Sequence, residues 1–509
     1  MKKLLGDVDY TIFGGAATIY FCLFLFIVSV PETAEKVIST TLSFTVNRLG
    51  WIYLLSFTLI LIFLTILALS KYGNLKLGKP EDKPDYSFFG WVSMLFIAGL
   101  GVGLVFFGVN EPMSHFYNSP FAENQTPEAA MVAMRTTFFH WGFHPWAMYT
   151  AAGLAIAYFQ HRRGLPGRVS SAFEPMLGRD GLNSLTAKII DIFAMTAILC
   201  GVATSVGFAG NQFAAGLTSQ YGFEQSTTLV AGAIILICGL ATASALKGVA
   251  KGIKILSDFN LYIVLILIAF VLIAGPTMYQ FNVLFETFGE YLNAFPMLSF
   301  FLDANEGVAQ KMGYNWVGGW SVTYFAWWVS FAPFVGGFLA DISKGRTIRE
   351  FILACVTIPS VLCLIWFTCF GGTAINLDLN KLITSGAEMA ANSPEALFLL
   401  LNELPLSGIT IFLSLVLIII LITTSVNSAT YVMGIMSAGP KSTVPSLGLR
   451  GFWGAFMAIN ALLFLWVGGM QTLRSSSLVG ALPFMIILLL MLYNMLVSLN
   501  REGAEKTTA

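Results

Sequence analysis

The sequence predicts an all-α integral membrane protein with twelve transmembrane helices, and three observations predict it. Hydrophobic residues make up 56% of the 509 and charged residues only 11%, against about 45–50% (glycine included) and about a quarter in soluble domains. Apolar segments long enough to cross a bilayer recur along the whole chain. Lys and Arg then gather in every second loop between those segments. The formal net charge is zero, so total charge carries no footprint of a nucleic-acid partner.

The spans are read at about 11–31, 51–70, 88–110, 136–160, 186–217, 226–246, 256–276, 317–341, 350–373, 408–437, 451–469 and 477–499, and are called spans one to twelve. Spans five and ten are longer than a crossing requires, which predicts tilt, extension or interruption. Lys71, Lys76, Lys79 and Lys83 follow span two, and Arg162, Arg163, Arg168 and Arg179 follow span four. Lys247, Lys251 and Lys254 follow span six, Lys344, Arg346 and Arg349 follow span eight, and Lys441 and Arg450 follow span ten. The alternate loops carry acids instead, among them Glu111, Glu123, Glu128, Glu388, Glu395 and Glu403. The positive-inside rule then places both termini in the cytoplasm. One span missed or invented would destroy the alternation.

Lys2-Lys3 precede the first apolar segment and no small-residue cleavage site follows it, so it is read as an uncleaved span. Residues 277–316 carry Phe281, Leu284, Phe285, Phe288, Tyr291 and Leu292 near helical spacing. They are read as a connecting helix lying at the membrane surface or packed on the protein. Residues 500–509 form a short tail, with no soluble regulatory domain expected. Cys22, Cys200, Cys238, Cys355, Cys363 and Cys369 all fall in apolar segments without metal-ligand spacing, and read as small apolar side chains.

The richest stretch is in span eight. Trp327, Trp328 and Phe331 lie three and four residues apart, which sets their rings on one stripe of a helix. Pro333 lacks an N–H, so the carbonyl of Val329 loses its helical partner and an interruption is expected there. Gly336-Gly337 then lets the backbone loosen or another helix approach. Aromatic rings beside a break suit a cation that offers no strong hydrogen bonds. Belt or packing tryptophans look the same in an isolated pair.

Three other spans carry matching features. Span three holds Gly99, Gly101 and Gly103 in mid-span, where glycines weaken a helix and free carbonyls for an ion or substrate, or allow close helix packing. Span ten sets Thr424 and Ser425 on the Leu421 face. Hydroxyls and carbonyls are the oxygen ligands of a hard cation, although such hydroxyls also bond to the carbonyl one turn back. Span four carries Trp141, Trp146 and Tyr149 around Pro145, which frees the carbonyl of Trp141. His140 and His144, four apart, lack an evident third metal ligand and read as structural. No nucleophile–base pair or nucleotide loop competes with these features, so no enzyme and no cofactor is expected.

These strings resemble the betaine/choline/carnitine transporter family. The likeness rests on Trp327-Trp328 with Ser330, Pro333, Phe334, Val335 and Gly336, on Ile342 to Phe351, and on the string from His140 to Tyr149. It also rests on the glycines at 99–103 with Glu111-Pro112, and on Ser425, Ser428 and Ala429. The resemblance implies a LeuT-like fold with two inverted five-helix repeats after two extra helices. That divides the chain into 1–86, 87–276 (spans three to seven), the connector 277–316, 317–499 (spans eight to twelve) and the tail 500–509. It further implies a homotrimer in the bacterial cytoplasmic (inner) membrane and a quaternary-ammonium substrate.

By the same resemblance, Trp327, Trp328, Phe331, Trp141, Trp146 and Tyr149 form an aromatic box, and Gly99, Leu100 and Gly101 present backbone to the substrate carboxylate. One sodium site maps onto Ile97 and Leu100 (through carbonyls), Leu421, Thr424 and Ser425. Phe331 stands where sodium-coupled glycine betaine carriers have tryptophan. Ile198 and Val202 stand where a second sodium site has hydroxyls, so at most one sodium is expected, unless Thr196 or Thr204 takes over the second. Gly103 stands where choline carriers have aspartate, which favours a zwitterion over choline. The implied function is sodium-coupled import of a betaine-type zwitterion. Sodium-independent exchange of related betaines, proton-coupled choline import, or an osmosensor or channel on the same scaffold are the alternatives.

Overall fold

The computed structural model describes residues 5–247, 249–439 and 444–508. For 96–100, 245–247, 249–255, 467–476, 479 and 503–508 it describes the course of the backbone alone. Regular structure among the described residues is helical, apart from two isolated antiparallel bridges, Val8 with Ala438 and Lys76 with Thr347.

The helices are α1 (Tyr10–Ser29), α2 (Pro31–Leu69), α3 (Phe88–Leu100), α4 (Gly103–Phe107), α5 (Asn110–Tyr117), α6 (Pro127–Trp141) and α7 (Phe143–Ala157). There follow α8 (Glu174–Gly181), α9 (Leu185–Tyr221), α10 (Thr227–Lys247), α11 (Val249–Ala274), α12 (Thr277–Phe300) and α13 (Gly307–Met312). The second half holds α14 (Thr323–Asp341), α15 (Ile348–Phe367), α16 (Thr373–Leu379), α17 (Gly386–Ala391), α18 (Ala396–Asn402), α19 (Ser407–Ser437) and α20 (Leu447–Thr508).

Ten stretches among the described residues are long and apolar enough to cross a membrane, and they correspond to spans one, two and five to twelve. Spans three and four are absent from that set because each is in pieces. Span three stops at Leu100, and Gly101 takes φ +50° and ψ −171° before α4 restarts at Gly103. Span four breaks at Gly142, with φ −88° and ψ −133°.

Two sequence expectations are corrected. Pro145 does not cause the break in span four. It sits in the first turn of α7, where its missing N–H would have had no helical partner anyway. Nor does Pro333 interrupt span eight, since α14 runs through it from Thr323 to Asp341. Beside it, the Ser330 hydroxyl donates to the Trp327 carbonyl at 2.6 Å. Gly336-Gly337 serves close approach: a Cβ on Gly336 would stand 2.7 Å from the Ala152 Cβ of α7, and one on Gly337 2.9 Å from Val432 of α19. Spans five and ten are continuous helices of 37 and 31 residues, so their extra length is extension. Span two begins earlier than expected, within a helix of 39 residues and so about 58 Å long at ~1.5 Å per residue.

The basic loops after spans two, four and eight meet at one end of the bundle, whereas Lys441 and the side chains of Lys247, Lys251 and Lys254 lie outside the described residues. Gly345 N–H donates to Leu77 O at 2.7 Å, Leu77 N–H to Arg346 O at 2.8 Å and Ile348 N–H to Leu75 O at 2.9 Å. Arg162 bonds to Glu502 and to the carbonyls of Lys76 and Gly78, and Asp9 N–H donates to Ser437 O at 3.0 Å. The acidic loops meet at the opposite end, where the Asn110 amide donates to Met389 O at 2.8 Å and Tyr117 OH to Asp378 at 3.0 Å. In the connector, α12 turns Phe281, Phe285, Phe288 and Leu292 outward and buries Val283, Thr287, Tyr291 and Leu298.

Candidate functional site

The aromatic side chains singled out by sequence come together from three helices, α6, α7 and α14. Trp327 and Trp328, neighbours on α14, lie with ring centroids 5.5 Å apart and planes at 26°. Trp141, the last residue of α6, stands edge-on to Trp328 at 4.9 Å. Tyr149 of α7 also stands edge-on to Trp328, at 5.6 Å, and Trp146 leans on Tyr149 at 5.7 Å. Phe331 meets Trp327 at 5.8 Å, nearly perpendicular. The breaks in spans three and four make this cluster reachable. A Cβ on Gly103 would stand 2.5 Å from Trp327 Cη2 and 2.9 Å from Trp141 Cη2, so only glycine lets α4 lie under both rings.

A cavity of about 250 Å³ leads to the cluster from the end that carries the acidic loops. Asn110, Ser114 and Ser393 line its outer part, and Phe107, Phe208, Tyr324 and Trp327 its inner part. Trp327 forms the floor. Trp328, Phe331, Trp141, Trp146 and Tyr149 lie behind it, each buried. Phe208 of α9 stands edge-on to Trp327 at 5.4 Å, and Phe107 of α4 lies 6.1 Å from it. Sequence reasoning missed Phe107, Phe208 and Tyr324, because a lone aromatic in an apolar span carries no signal of its facing neighbour. The Nε1 atoms of Trp327 and Trp328 and the hydroxyl of Tyr149 are buried without hydrogen-bond partners, a cost of about 1–3 kcal/mol each where nothing compensates.

The hydroxyl pair of span ten lies beside this cluster. Thr424 Oγ1 donates to Leu421 O at 2.7 Å, and Ser425 Oγ donates to the same carbonyl at 3.1 Å. Both therefore bond one turn back, which leaves their lone pairs free to face a cation. Ser425 Oγ lies 4.0 Å, and Phe331 Cε1 3.9 Å, from where a Cβ on Gly101 would stand. The break in α3, the hydroxyls of α19 and the ring of Phe331 thus share one place. A helix that ends at Leu100 leaves the carbonyls of its last turn without helical donors. Ile97, Gly99 and Leu100 follow this backbone, but their side chains lie outside the described residues. Ile198 and Val202 of α9 are fully buried and apolar. Gly201 between them meets Ser330 Oγ and Phe331 where its Cβ would be.

One feature was not anticipated. Glu111, read from sequence as an acid of an outer loop, is fully buried on α5. Its Oε1 lies 2.7 Å from His140 Nδ1, and its Oε2 accepts from Trp141 Nε1 and Tyr324 OH, each at 2.7 Å. His140 Nε2 reaches Ser321 Oγ at 2.9 Å. His144 does not pair with His140. It lies 3.2 Å from Ser299 Oγ, with its ring between Phe295 and Phe325. The i,i+4 pair Glu111 and His115 was the sequence signal available.

The model of the betaine/carnitine/choline family transporter family matches residues 11–504. The glycine betaine transporter OpuD of Bacillus subtilis (strain 168) is 38% identical over 476 residues, 93% of this chain and 91% of that protein. The ectoine/hydroxyectoine transporter of Virgibacillus pantothenticus is 37% identical over 501 residues, 97% and 98% of the two chains. Among solved structures, a Na+-coupled sialic acid symporter in a substrate-bound outward-open state aligns with a TM-score of 0.49 at 12% identity, over 87% of this chain and 86% of that one.

Proposed function

This chain belongs to the betaine/carnitine/choline transporter family, and on that premise we propose that it imports a betaine-type zwitterion with one sodium ion. It is a membrane transporter and not an enzyme. The observation that carries the reading is the cavity whose floor is Trp327, with Trp328 stacked on it and Trp141 and Tyr149 edge-on behind. A quaternary ammonium group offers no hydrogen bonds and is held by ring faces, at about 0.5–2 kcal/mol per ring. Phe107, Phe208 and Tyr324 form its approach, and the backbone at 99–101 meets the carboxylate. The cavity opens at the acidic-loop end, and ion pairs and backbone bonds join the basic loops at the other. That supports an outward-facing state with both termini on the cytoplasmic side of a bacterial inner membrane.

Sodium at Thr424, Ser425 and the carbonyls of Leu421, Ile97 and Leu100 would tie α3 to α19 beside Phe331. Ion and substrate binding are then coupled through the same break. The two inverted repeats, 87–276 and 317–499, supply the halves that rock against each other. The outward stripe of α12 supports contact with neighbouring protomers of a homotrimer.

In proteoliposomes, Trp328→Leu abolishes saturable betaine uptake while the protein elutes as the wild type on gel filtration. Unchanged uptake refutes the aromatic assignment. A panel of glycine betaine, carnitine, choline and ectoine, run as sodium-gradient uptake and as counterflow, separates symport from exchange and fixes the substrate.

A further inference from the structure

Glu111, His115 and His140 offer one ligand atom each, all within 4.8 Å of one another and all buried. We propose that these three side chains form a binding site for a divalent transition metal, with zinc as its archetype, buried behind the Asn110, Ser114 and Tyr324 lining of the cavity. The proposal stands apart from the substrate assignment.

The donor set is two imidazoles and one carboxylate, which suits zinc and similar ions. Two of the ligands come from one helical face, since Glu111 and His115 are four residues apart on α5. The third, His140, comes from the end of α6. Around a tetrahedral zinc with bonds of about 2.0–2.1 Å, ligand atoms stand roughly 3.3–3.4 Å apart. Glu111 Oε1 lies 2.7 Å from His140 Nδ1 and 3.7 Å from His115 Nε2, values that bracket that spacing. The two imidazole nitrogens lie within 4.8 Å of each other, so side-chain shifts of up to about 1.5 Å bring them to that spacing, and water takes the fourth position.

Two further observations point to a cation. His115 Nε2 is fully buried and has no hydrogen-bond partner, although it is aimed at Glu111 Oε1. The outer contacts are also those of a metal site. Ser321 Oγ holds the far nitrogen of His140 at 2.9 Å, and Trp141 and Tyr324 hold the second oxygen of Glu111. Such partners fix ligand orientation and tautomer. A bound ion would tie α5 to α6 and, through Tyr324 and Ser321, to the start of span eight. Of these, α5 and the start of span eight line the cavity through Asn110, Ser114, Trp320 and Tyr324.

The test is zinc binding by the full-length protein in detergent, by equilibrium dialysis and X-ray absorption, with the unfolding midpoint measured in parallel. The expected result is one zinc per protomer, a first shell containing two imidazoles, and a midpoint raised by zinc. His115→Gln and Glu111→Gln each weaken binding by tenfold or more and abolish the midpoint shift. His115→Gln removes the ligand whose Nε2 makes no hydrogen bond, and gel filtration together with the zinc-free unfolding midpoint establishes that it is folded even where Glu111→Gln is not. Zinc uptake by the wild type no greater than by His115→Gln, or a first shell without imidazole, shows a hydrogen-bonded network only and overturns the proposal.

Discussion

Replacing Phe331 by tryptophan tests whether the smaller ring leaves room in the site. A reading from sequence alone expects the indole to strengthen cation binding. The structure predicts the opposite. Phe331 is 3% exposed. It meets Trp327 at 5.8 Å and Phe334 at 5.0 Å. Its other sides face backbone: a Cβ on Gly201 would stand 2.9 Å from Phe331 Cδ2, and one on Gly101 3.9 Å from Cε1. Neither glycine can shrink to admit a second ring. Overpacking of this kind costs about 1–3 kcal/mol. Exchanging phenyl for indole gains only a fraction of a cation–π contact worth about 0.5–2 kcal/mol. The loss exceeds the gain by about 1–2 kcal/mol, which at ~1.4 kcal/mol per tenfold is roughly a 5- to 30-fold fall. Initial rates of betaine uptake at subsaturating substrate, in proteoliposomes under a sodium gradient, measure it, and the unfolding midpoint falls with them. Tighter uptake at an unchanged midpoint would refute the packing argument.

Gly101→Ala is strained at φ +50° and ψ −171° although its Cβ meets nothing closer than 3.9 Å. It costs about 1–3 kcal/mol through the backbone, and weaker sodium and substrate binding together, in paired titrations, is the expected outcome. Thr424→Ala with Ser425→Ala removes both hydroxyls from the break and leaves Leu421 O without their bonds. Uptake then loses its dependence on sodium, and a sodium titration that matches the wild type counts against the ion site. Arg162→Ala frees Glu502 and the carbonyls of Lys76 and Gly78 together. A cysteine placed at that end of the bundle should react faster with a thiol reagent, and an unchanged rate shows that the contact does not hold the end shut.

The alternation of basic loops depends only on where Lys and Arg fall, so it was legible in the sequence, and the structure gathers the loops after spans two, four and eight at one end. The break at the mid-span glycines was legible for a similar reason, since Gly101 adopts a conformation that few other residues tolerate. The stripe of Trp327, Trp328 and Phe331 follows from helical spacing alone.

What faces that stripe was decided elsewhere. Pro333 looks like a breaker until close packing of α7 and α19 at Gly336-Gly337 keeps α14 continuous through it. The kink assigned to Pro145 belongs to Gly142, where Tyr291 of the connector sets its hydroxyl against the backbone. Glu111 reads as a solvated loop acid until α5 folds inward and His140, Trp141 and Tyr324 surround it. Periodicity fixes the face that each helix presents, because it is a property of one element. The partner on the opposite face depends on how helices cross, and residues far apart in the chain set that crossing. The sequence by itself therefore determined a membrane protein with a broken helix, an aromatic stripe and a hydroxyl pair. Only the packing of α4, α6, α7, α9, α14 and α19 brought them together behind Trp327, which lines the cavity, and buried a carboxylate beside Trp141 and Tyr324.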